Sequence, residues 1–588
     1  MLKKFLKTVL SSALICSLAA PGASVLAETV TAEGSGTGAH GEVKVEVSFE
    51  GNRITGIEIL EEQENETLAE PVFTGLKEEI IARNSIDVDV VTGSTQSSEA
   101  LITAVEEAIK AAGITLVAVS TEDEAEGDAS DELAAQEYDV VVVGSGGAGF
   151  SAAIEAATAG KSVILLEKLP IVGGNTLISG GEMNAPGNWV QETLGIEDSV
   201  ELYYEDTVKS GEDKGVPELV QLMAESALES AEWLRDEINV EFYDDQLFYF
   251  GGHSVERALI PLGHTGQEII TKFQAKADQL GIDVITEAGA EELLQDESDR
   301  IIGVKANTKD GFQDFLAKDG VILTTGGFGA NEELRVKYNQ EYDDRYLETV
   351  SPGSQGDGIV MAEAVGADLM NMEYIQTYPV ADPETGRISL LADTRFDGAI
   401  LINQEGERFV EELERRDVIS QAILAQTGGY AYQLWNDALD QVSNSKELHQ
   451  AEYESLLERG LLVEADSIEE VAEAFDIPVD NLKATLEKVA EYAETGEDKD
   501  FNHRKGLVNM DEGRYYLMKC KPSIHHTMGG LVINGKAEVL NTDGEPIEGL
   551  YAAGELTGVI HGVNRLGGNA ITDIITFGRI AGQTVGNN

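Results

Sequence analysis

The residues with the clearest capacity for chemistry follow the apolar run Val140-Val141-Val142-Val143, which ends in Gly144-Ser145-Gly146-Gly147-Ala148-Gly149. A small-residue stretch of helical character runs on to Ala159, and a second apolar run, Val163 to Leu166, ends in Glu167. Strand, glycine turn, helix, strand and acid in this order make a dinucleotide site. Gly144 permits the tight turn, Gly146 lets backbone approach a pyrophosphate at the helix N-terminus, and Gly149 lets helix and strand pack closely. Glu167, 23 residues after Gly144, can accept hydrogen bonds from ribose hydroxyls. A second set of residues is cationic: Arg416 within Glu414-Arg415-Arg416-Asp417, the pair His525-His526, and Arg565 within Asn564-Arg565-Leu566-Gly567-Gly568-Asn569.

The chain that must position these groups has 588 residues, room for about three to five domains. It carries 41 Lys and Arg against 107 Asp and Glu, a net charge of −66. Such a charge repels phosphate backbones and anionic headgroups, so nucleic acid is excluded as a partner. An anionic substrate would need several of the few arginines in one place, which makes each clustered arginine informative. Only Cys16 and Cys520 occur, with no Cys-x-x-Cys, so covalent haem, iron–sulfur clusters and cysteine-held zinc have no ligand set. No metal is expected, and redox chemistry must use another cofactor.

Residues 1–27 read as a signal peptide: Lys3, Lys4 and Lys7, then the apolar stretch Val9 to Ala20, then the small-residue site Val25-Leu26-Ala27. Export to a periplasm or cell surface is expected. Residues 42–60 alternate apolar and polar around a Gly-Asn turn and predict a hairpin, and 98–112 carry a helical pattern. Together 36–119 form a small α+β domain. Residues 120–137 hold eight carboxylates and few apolar residues, too little to pack a core, and read as an acidic linker. From Tyr138 onward the chain is rich in βαβ patterns, interrupted by a more helical segment near 373–523.

Further glycine turns suit a long, extended cofactor and favour FAD over NAD: Gly173-Gly174-Asn175-Thr176, Thr325-Gly326-Gly327 after Val321-Ile322-Leu323, and Gly554-Glu555 after Leu550-Tyr551-Ala552-Ala553. At these residues the chain resembles the flavoprotein subunits of the fumarate reductase and succinate dehydrogenase superfamily, especially the soluble flavocytochrome c type. The resemblance covers roughly 138–588 and rests also on Gly-Asp-Gly (356–358), His-His-Thr-Met-Gly-Gly (525–530) and Asn-Arg-Leu-Gly-Gly-Asn (564–569). It implies an α/β fold: a Rossmann-like FAD-binding domain, 138–372 and 524–588, with an inserted α+β clamp domain, 373–523, that closes over the flavin ring. As contacts of a non-covalent FAD it implies Gly144, Gly146, Gly147, Ala148, Gly149, Glu167, Gly174, Asn175, Thr176, Gly181, Gly327, Asp357, Glu555, Asn569, Ala570 and Ile571.

The implied enzyme is an FAD-dependent oxidoreductase acting on CH–CH bonds, which delivers hydride to an activated alkene and a proton to the neighbouring carbon. Such a site needs cationic donors for the substrate carboxylate, a proton donor and a water-excluding clamp. By resemblance Arg416 is the proton donor, and Arg565 with His525 binds the carboxylate. His526 serves either the flavin or packing. Free arginine has a pKa above about 12, so proton donation demands enforced proximity and a relay. Arg395 matches the relay's arginine, but the relay's glutamate is replaced by Ala392, which leaves the route of reprotonation open.

The far end of the substrate is where the chain departs from a fumarate reductase. The pattern Tyr-Ile-Gln-x-His-Pro, whose histidine binds a second carboxylate, here reads Tyr374-Ile375-Gln376-Thr377-Tyr378-Pro379. Asp393 and Glu182 add acids, which repel a second carboxylate but accept hydrogen bonds from a ring N–H. Tyr378, Asp393, Arg416, His525, Arg565 and Glu182 together resemble the branch of that family that reduces the imidazole acrylate urocanate to imidazole propionate. A reductase of fumarate or another enoate (methacrylate or a cinnamate-like acid) and a non-catalytic flavin electron-transfer protein are the alternatives. Finally, Asp89-Val90-Val91-Thr92-Gly93-Ser94-Thr95 resembles the attachment sequence of FMN-binding domains, which implies covalent FMN on Thr95, joined by a flavin transferase. Ser94 or Thr95 equally suits the N-cap of the helix that follows. The implied electron path runs from a membrane-associated or soluble donor through FMN to FAD.

Overall fold

Alternating apolar residues in the N-terminal segment build an antiparallel sheet, and near-continuous apolar runs further on build a parallel one. The computed structural model describes residues 29–38, 42–50, 52–62, 72–86, 88, 95–112, 114, 116, 133–511 and 513–587. The signal segment 1–27, the attachment motif 89–94 and residues 120–132 of the acidic stretch lie outside the described residues. The chain divides into two units, the first drawn from segments within residues 1–121 and the second centred on Glu122–Asn588.

In the first unit β1 (Thr29–Thr37), β2 (Glu42–Glu50) and β3 (Arg53–Glu61) form a sheet in that order, all antiparallel. The expected hairpin is β2–β3, with Val45 opposite Ile59 and Val47 opposite Ile57. Its apolar face meets α1 (Lys77–Arg83) and α2 (Thr95–Ala112), whose Leu101, Ala104, Val105 and Ala108 are buried. Strand β1 was not expected, because its sequence TVTAEGSGT has almost no apolar side chains. It holds its place through glycine instead: a Cβ on Gly34 would stand 2.0 Å from the Ala104 carbonyl, and one on Gly36 2.1 Å from that of Ala100. Helix α2 therefore lies directly on the strand backbone.

The second unit opens with β4 (Gln136–Val143), α3 (Gly147–Thr158) and β5 (Val163–Leu166). Gln136 and Glu137, at the end of the acidic stretch, already pair in this strand, opposite Phe315 and Leu316. Helix α4 (Gly266–Leu280), β6 (Asp283–Ile285), β7 (Ala288–Gln295), β8 (Ile301–Thr308) and β9 (Gly311–Leu323) follow. Strands β9, β4, β5 and β6 are parallel neighbours in that order, while β8 pairs antiparallel with both β9 and β7. Val140 to Val143 and Val163 to Leu166 are buried on both faces, as parallel strands covered by helices require.

Between two passes through this sheet the chain builds a second, antiparallel one. Its strands are β10 (Ile375–Ala381), β11 (Ile400–Ile402), β12 (Ala431–Asn436), β13 (Leu462–Ala465) and β14 (Tyr515–Thr527), with α5 (Arg416–Leu424) between β11 and β12. One half of β14 pairs β12 and β13, and the other half pairs β10, with Gln376 opposite His526. The core includes Trp435 stacked on Tyr516 at 5.4 Å, and Cys520 is buried in the same core.

The chain then returns to the first sheet. Strand β15 (Pro546–Ala552) joins β9 in parallel, and α6 (Asn569–Gly586) packs along α3. That packing is close because Gly578, Gly582 and Gly586 recur every fourth residue on one face. A Cβ on Gly578 would stand 2.6 Å from the Ala148 carbonyl, and one on Gly582 2.3 Å from that of Ala152. Among the described residues no helix is long and apolar enough to cross a membrane.

Candidate active site

The C-terminal ends of β4, β5 and β9 and the N-terminus of α3 surround a cavity of about 100 Å³. Gly144 has φ +101°, and a Cβ there would sit 2.5 Å from the Thr324 carbonyl; one on Gly149 would sit 1.9 Å from that of Gly144. Gly146 ends in extended backbone at the helix N-terminus, and a Cβ there would meet nothing closer than 3.9 Å. A helix N-terminus with open space before it suits a pyrophosphate. Thr325, which lines this cavity, has a buried hydroxyl without a protein partner, as a polar cofactor would require. These features fit FAD.

Gly147, Ala148, Gly174, Asn175, Thr176 and Asp357 also line the cavity, and Asp357 pairs with Lys168 at 2.5 Å. Glu167 lines it too, while its carboxylate accepts from the Ser145 amide (3.1 Å), the Ser145 hydroxyl (2.6 Å) and the Leu169 amide (2.9 Å). Gly327 and Asn569 pack behind the walls. A Cβ on Gly327 would meet Thr527 Oγ1 at 2.0 Å, and Asn569 Oδ1 accepts from Asn184 and Tyr203.

Asn175, Thr176, Glu555 and Ile574 line this cavity and a second one of about 130 Å³, so the two adjoin. Gly181, Ala570 and Ile571 line the second cavity, and it gathers all of Glu182, Tyr378, Asp393, Arg416, His525 and Arg565, together with His526. Arg416 is the first residue of α5; its guanidinium lies 5.3 Å from the Tyr378 ring and 5.8 Å from the Phe250 ring. It donates to Gln376 Oε1 at 3.4 Å, and Gln376 Nε2 donates to the Arg565 carbonyl at 2.7 Å. One glutamine thus ties the two arginines together.

Burial, and then the charge of Arg416, brings Arg565 down to about 9, and its buried Nε has no partner. Burial also lowers Arg416, with Arg395 adding to the effect. Burial and the two guanidinium groups hold His525 well below its usual range, so it is a neutral imidazole, hydrogen-bonded through Nδ1 to Thr349 Oγ1 at 2.8 Å. His526 is neutral for the same reason and stands edge-on to His561 at 5.4 Å. Two buried guanidinium groups, with Arg565 Nε unpartnered, call for an anion.

The acids are differently supplied. Burial and Glu182 raise Asp393 to about 7, while Glu182, despite its burial, is lowered by His264. His264 Nε2 lies 2.5 Å from Glu182 Oε1 and 3.9 Å from Asp393 Oδ2. Against its burial these acids raise His264 to about 9. Tyr378 is held as a phenol, chiefly by burial. Arg395 does not line the cavity; it stands behind Arg416 on a void of about 20 Å³ shared with Arg416, Arg565, Glu412 and Glu414, its Nε and Nη1 unpartnered.

Two parts of the site were absent from the sequence reading. One is His264, a lone histidine in a loop with no pattern around it. The other is a buried support beneath the Arg565 loop: Arg257 grips Asp198 through two hydrogen bonds (2.9 and 3.0 Å) and Asp206 at 2.7 Å. It also donates to His253 Nδ1 at 2.9 Å, which leaves the ring proton on Nε2, 3.0 Å from the Gly567 carbonyl.

Residues 139–571 match the model of the FAD binding domain family, and 38–110 that of the FMN-binding domain. A urocanate reductase of Eggerthella lenta is 46% identical over 97% of this chain and 94% of its own, and a cytochrome fumarate reductase of Shewanella frigidimarina is 39% identical over 76% of each. The chain belongs to the flavocytochrome c and fumarate reductase flavoprotein family. The solved open conformation of a flavocytochrome c3 fumarate reductase, 34% identical, superposes with a TM-score of 0.66 over 80% of this chain and 81% of that one. As a member of this flavoprotein family the chain is an FAD-dependent oxidoreductase, and an FMN-binding domain precedes its FAD-binding domain. Thr95, first residue of α2, follows directly on the undescribed residues 89–94.

Proposed function

We propose that this flavoprotein reduces the alkene of urocanate to imidazole propionate. The observation that carries the reading is a single cavity in which two buried arginines, Arg416 and Arg565, the latter with an unpartnered Nε, meet two acids and a phenol. A substrate with a carboxylate and a hydrogen-bonding ring satisfies both sets at once. FAD, when bound, supplies hydride to the alkene, and FMN supplies it with the electrons of a donor outside the chain. Arg565 grips the carboxylate with its planar fork. His525 joins it: when Thr349 donates to Nδ1, Nε2 keeps its proton and donates to the same carboxylate. Tyr378, Asp393 and Glu182 take the ring nitrogens.

Arg416 delivers the proton, and its buried position eases the release. The proton returns from the side of Arg395 and the small void behind. Phe250, Phe396, Ile388 and Leu390 line the cavity and keep water out. Fumarate fits less well, because its second carboxylate would face Glu182 and Asp393. Anaerobic turnover with a reduced viologen dye tests the reading: urocanate should outpace fumarate, methacrylate and cinnamate by about 10² or more. Fumarate turned over as fast as urocanate would overturn it.

Covalent FMN on Thr95 and export of the protein belong to the same reading, since an exported carrier gains from a flavin that cannot diffuse away. Thr95→Ala, produced alongside a flavin transferase, should lack the mass of one FMN while keeping FAD and viologen-driven turnover. Equal intact masses for wild type and variant would remove Thr95 as the attachment site.

A further inference from the structure

His264 does not line the cavity, yet its Nε2 lies 2.5 Å from Glu182 Oε1 and 3.9 Å from Asp393 Oδ2, two residues that do. Its backbone is left-handed at φ +52°, a conformation in which side-chain-bearing residues are uncommon and worth a functional question. The ring is walled by Phe248 at 5.2 Å and His449 at 6.3 Å. The titratable groups that face it are Glu182, Asp393, Asp397 and His449. Burial first, and then the charge of His264, pushes His449 down to about 4, so His449 adds no second cation.

Resting on the urocanate reading, we propose that His264 is a positioning residue that sets ring specificity: as the cation behind Glu182 and Asp393, it keeps one carboxylate ionised while the other holds a proton. A neutral imidazole has one N–H donor and one lone-pair acceptor. Two ionised carboxylates match only the donor, and two protonated ones offer no anionic acceptor for it. The pair carrying one proton matches both nitrogens. With His264 charged, this state spans the interval between the lowered Glu182 and Asp393 at about 7.

The test is equilibrium binding of urocanate to the oxidised FAD-loaded enzyme without reductant, from about pH 5.5 to about pH 9, for wild type, His264→Gln and His264→Asn. Asparagine tolerates left-handed backbone, so the second variant guards against misfolding. Without the cation both buried acids keep their protons to higher pH, because burial and their mutual repulsion go unopposed. The pH of tightest binding should therefore move up by about one unit or more, and at about pH 6 the Kd should rise at least about tenfold. Cinnamate, which has the carboxylate but no ring nitrogens, should lose far less affinity. A urocanate pH profile unchanged in both variants, or an equal loss for cinnamate, overturns the role of His264 alone. A wild type that does not bind urocanate overturns the substrate reading, and this inference with it.

Discussion

Arg416→Ala is expected to lower the rate of alkene reduction by about 10² to 10⁴, the range that a positioned proton donor contributes, while FAD content and urocanate affinity stay within a few-fold of wild type. The residue owes this role to its placement. It opens α5 against the cavity, stacked over Tyr378 and Phe250, and Gln376 fixes it to the Arg565 loop. Burial lowers its hold on the proton, which brings an ordinarily inert guanidinium nearer to a usable acid. Because proton delivery matters in the transition state and little in the ground state, the loss should fall on kcat with KM nearly unchanged. Near-wild-type single turnover under anaerobic conditions would reduce Arg416 to a structural residue.

Asp393→Ala should cost urocanate about 10³ or more in kcat/KM, yet leave fumarate a poor substrate. Sites built to hydrogen-bond a substrate group lose discrimination of about 10⁴ when the partner is missing, since the buried polar group is left unpaired. Removing the acid eases repulsion of a second carboxylate but supplies no cation to hold one: Tyr378 stays a phenol and His264 stays paired with Glu182. Steady-state kinetics on both substrates decide the matter. Unchanged urocanate kinetics, or a variant that becomes a good fumarate reductase, would mean that Asp393 does not read the ring.

What was legible in the sequence had a local physical cause. The glycine loop, Glu167 and the run Val163 to Leu166 announce themselves because a parallel strand buried on both faces must be uniformly apolar, and a phosphate turn must be glycine. The strand Thr29–Thr37 was not legible, since Gly34 and Gly36 bury backbone rather than side chains against α2. His264 and the Arg257 support were not legible either. Their partners lie far along the chain, as with Glu182 for His264 and Asp198 and Asp206 for Arg257, and one sequence shows no such pairing.

The glycine-spaced helix α6, laid along α3, also has a bearing on how the protein is made. The helix that presents its N-terminus to the pyrophosphate finds its packing partner far along the chain, in Asn569–Gly586. The strand β15 beside β9, the arginine loop and this helix likewise all come from residues 546–586. A chain made N-terminus first can assemble its small first unit early, but it has no cofactor pocket to offer until residues 546–586 have been made. Flavin retention therefore reports on an intact 546–586 segment, and a product cut off before it should be left without its cofactor, exposed to proteolysis as an unfinished fold.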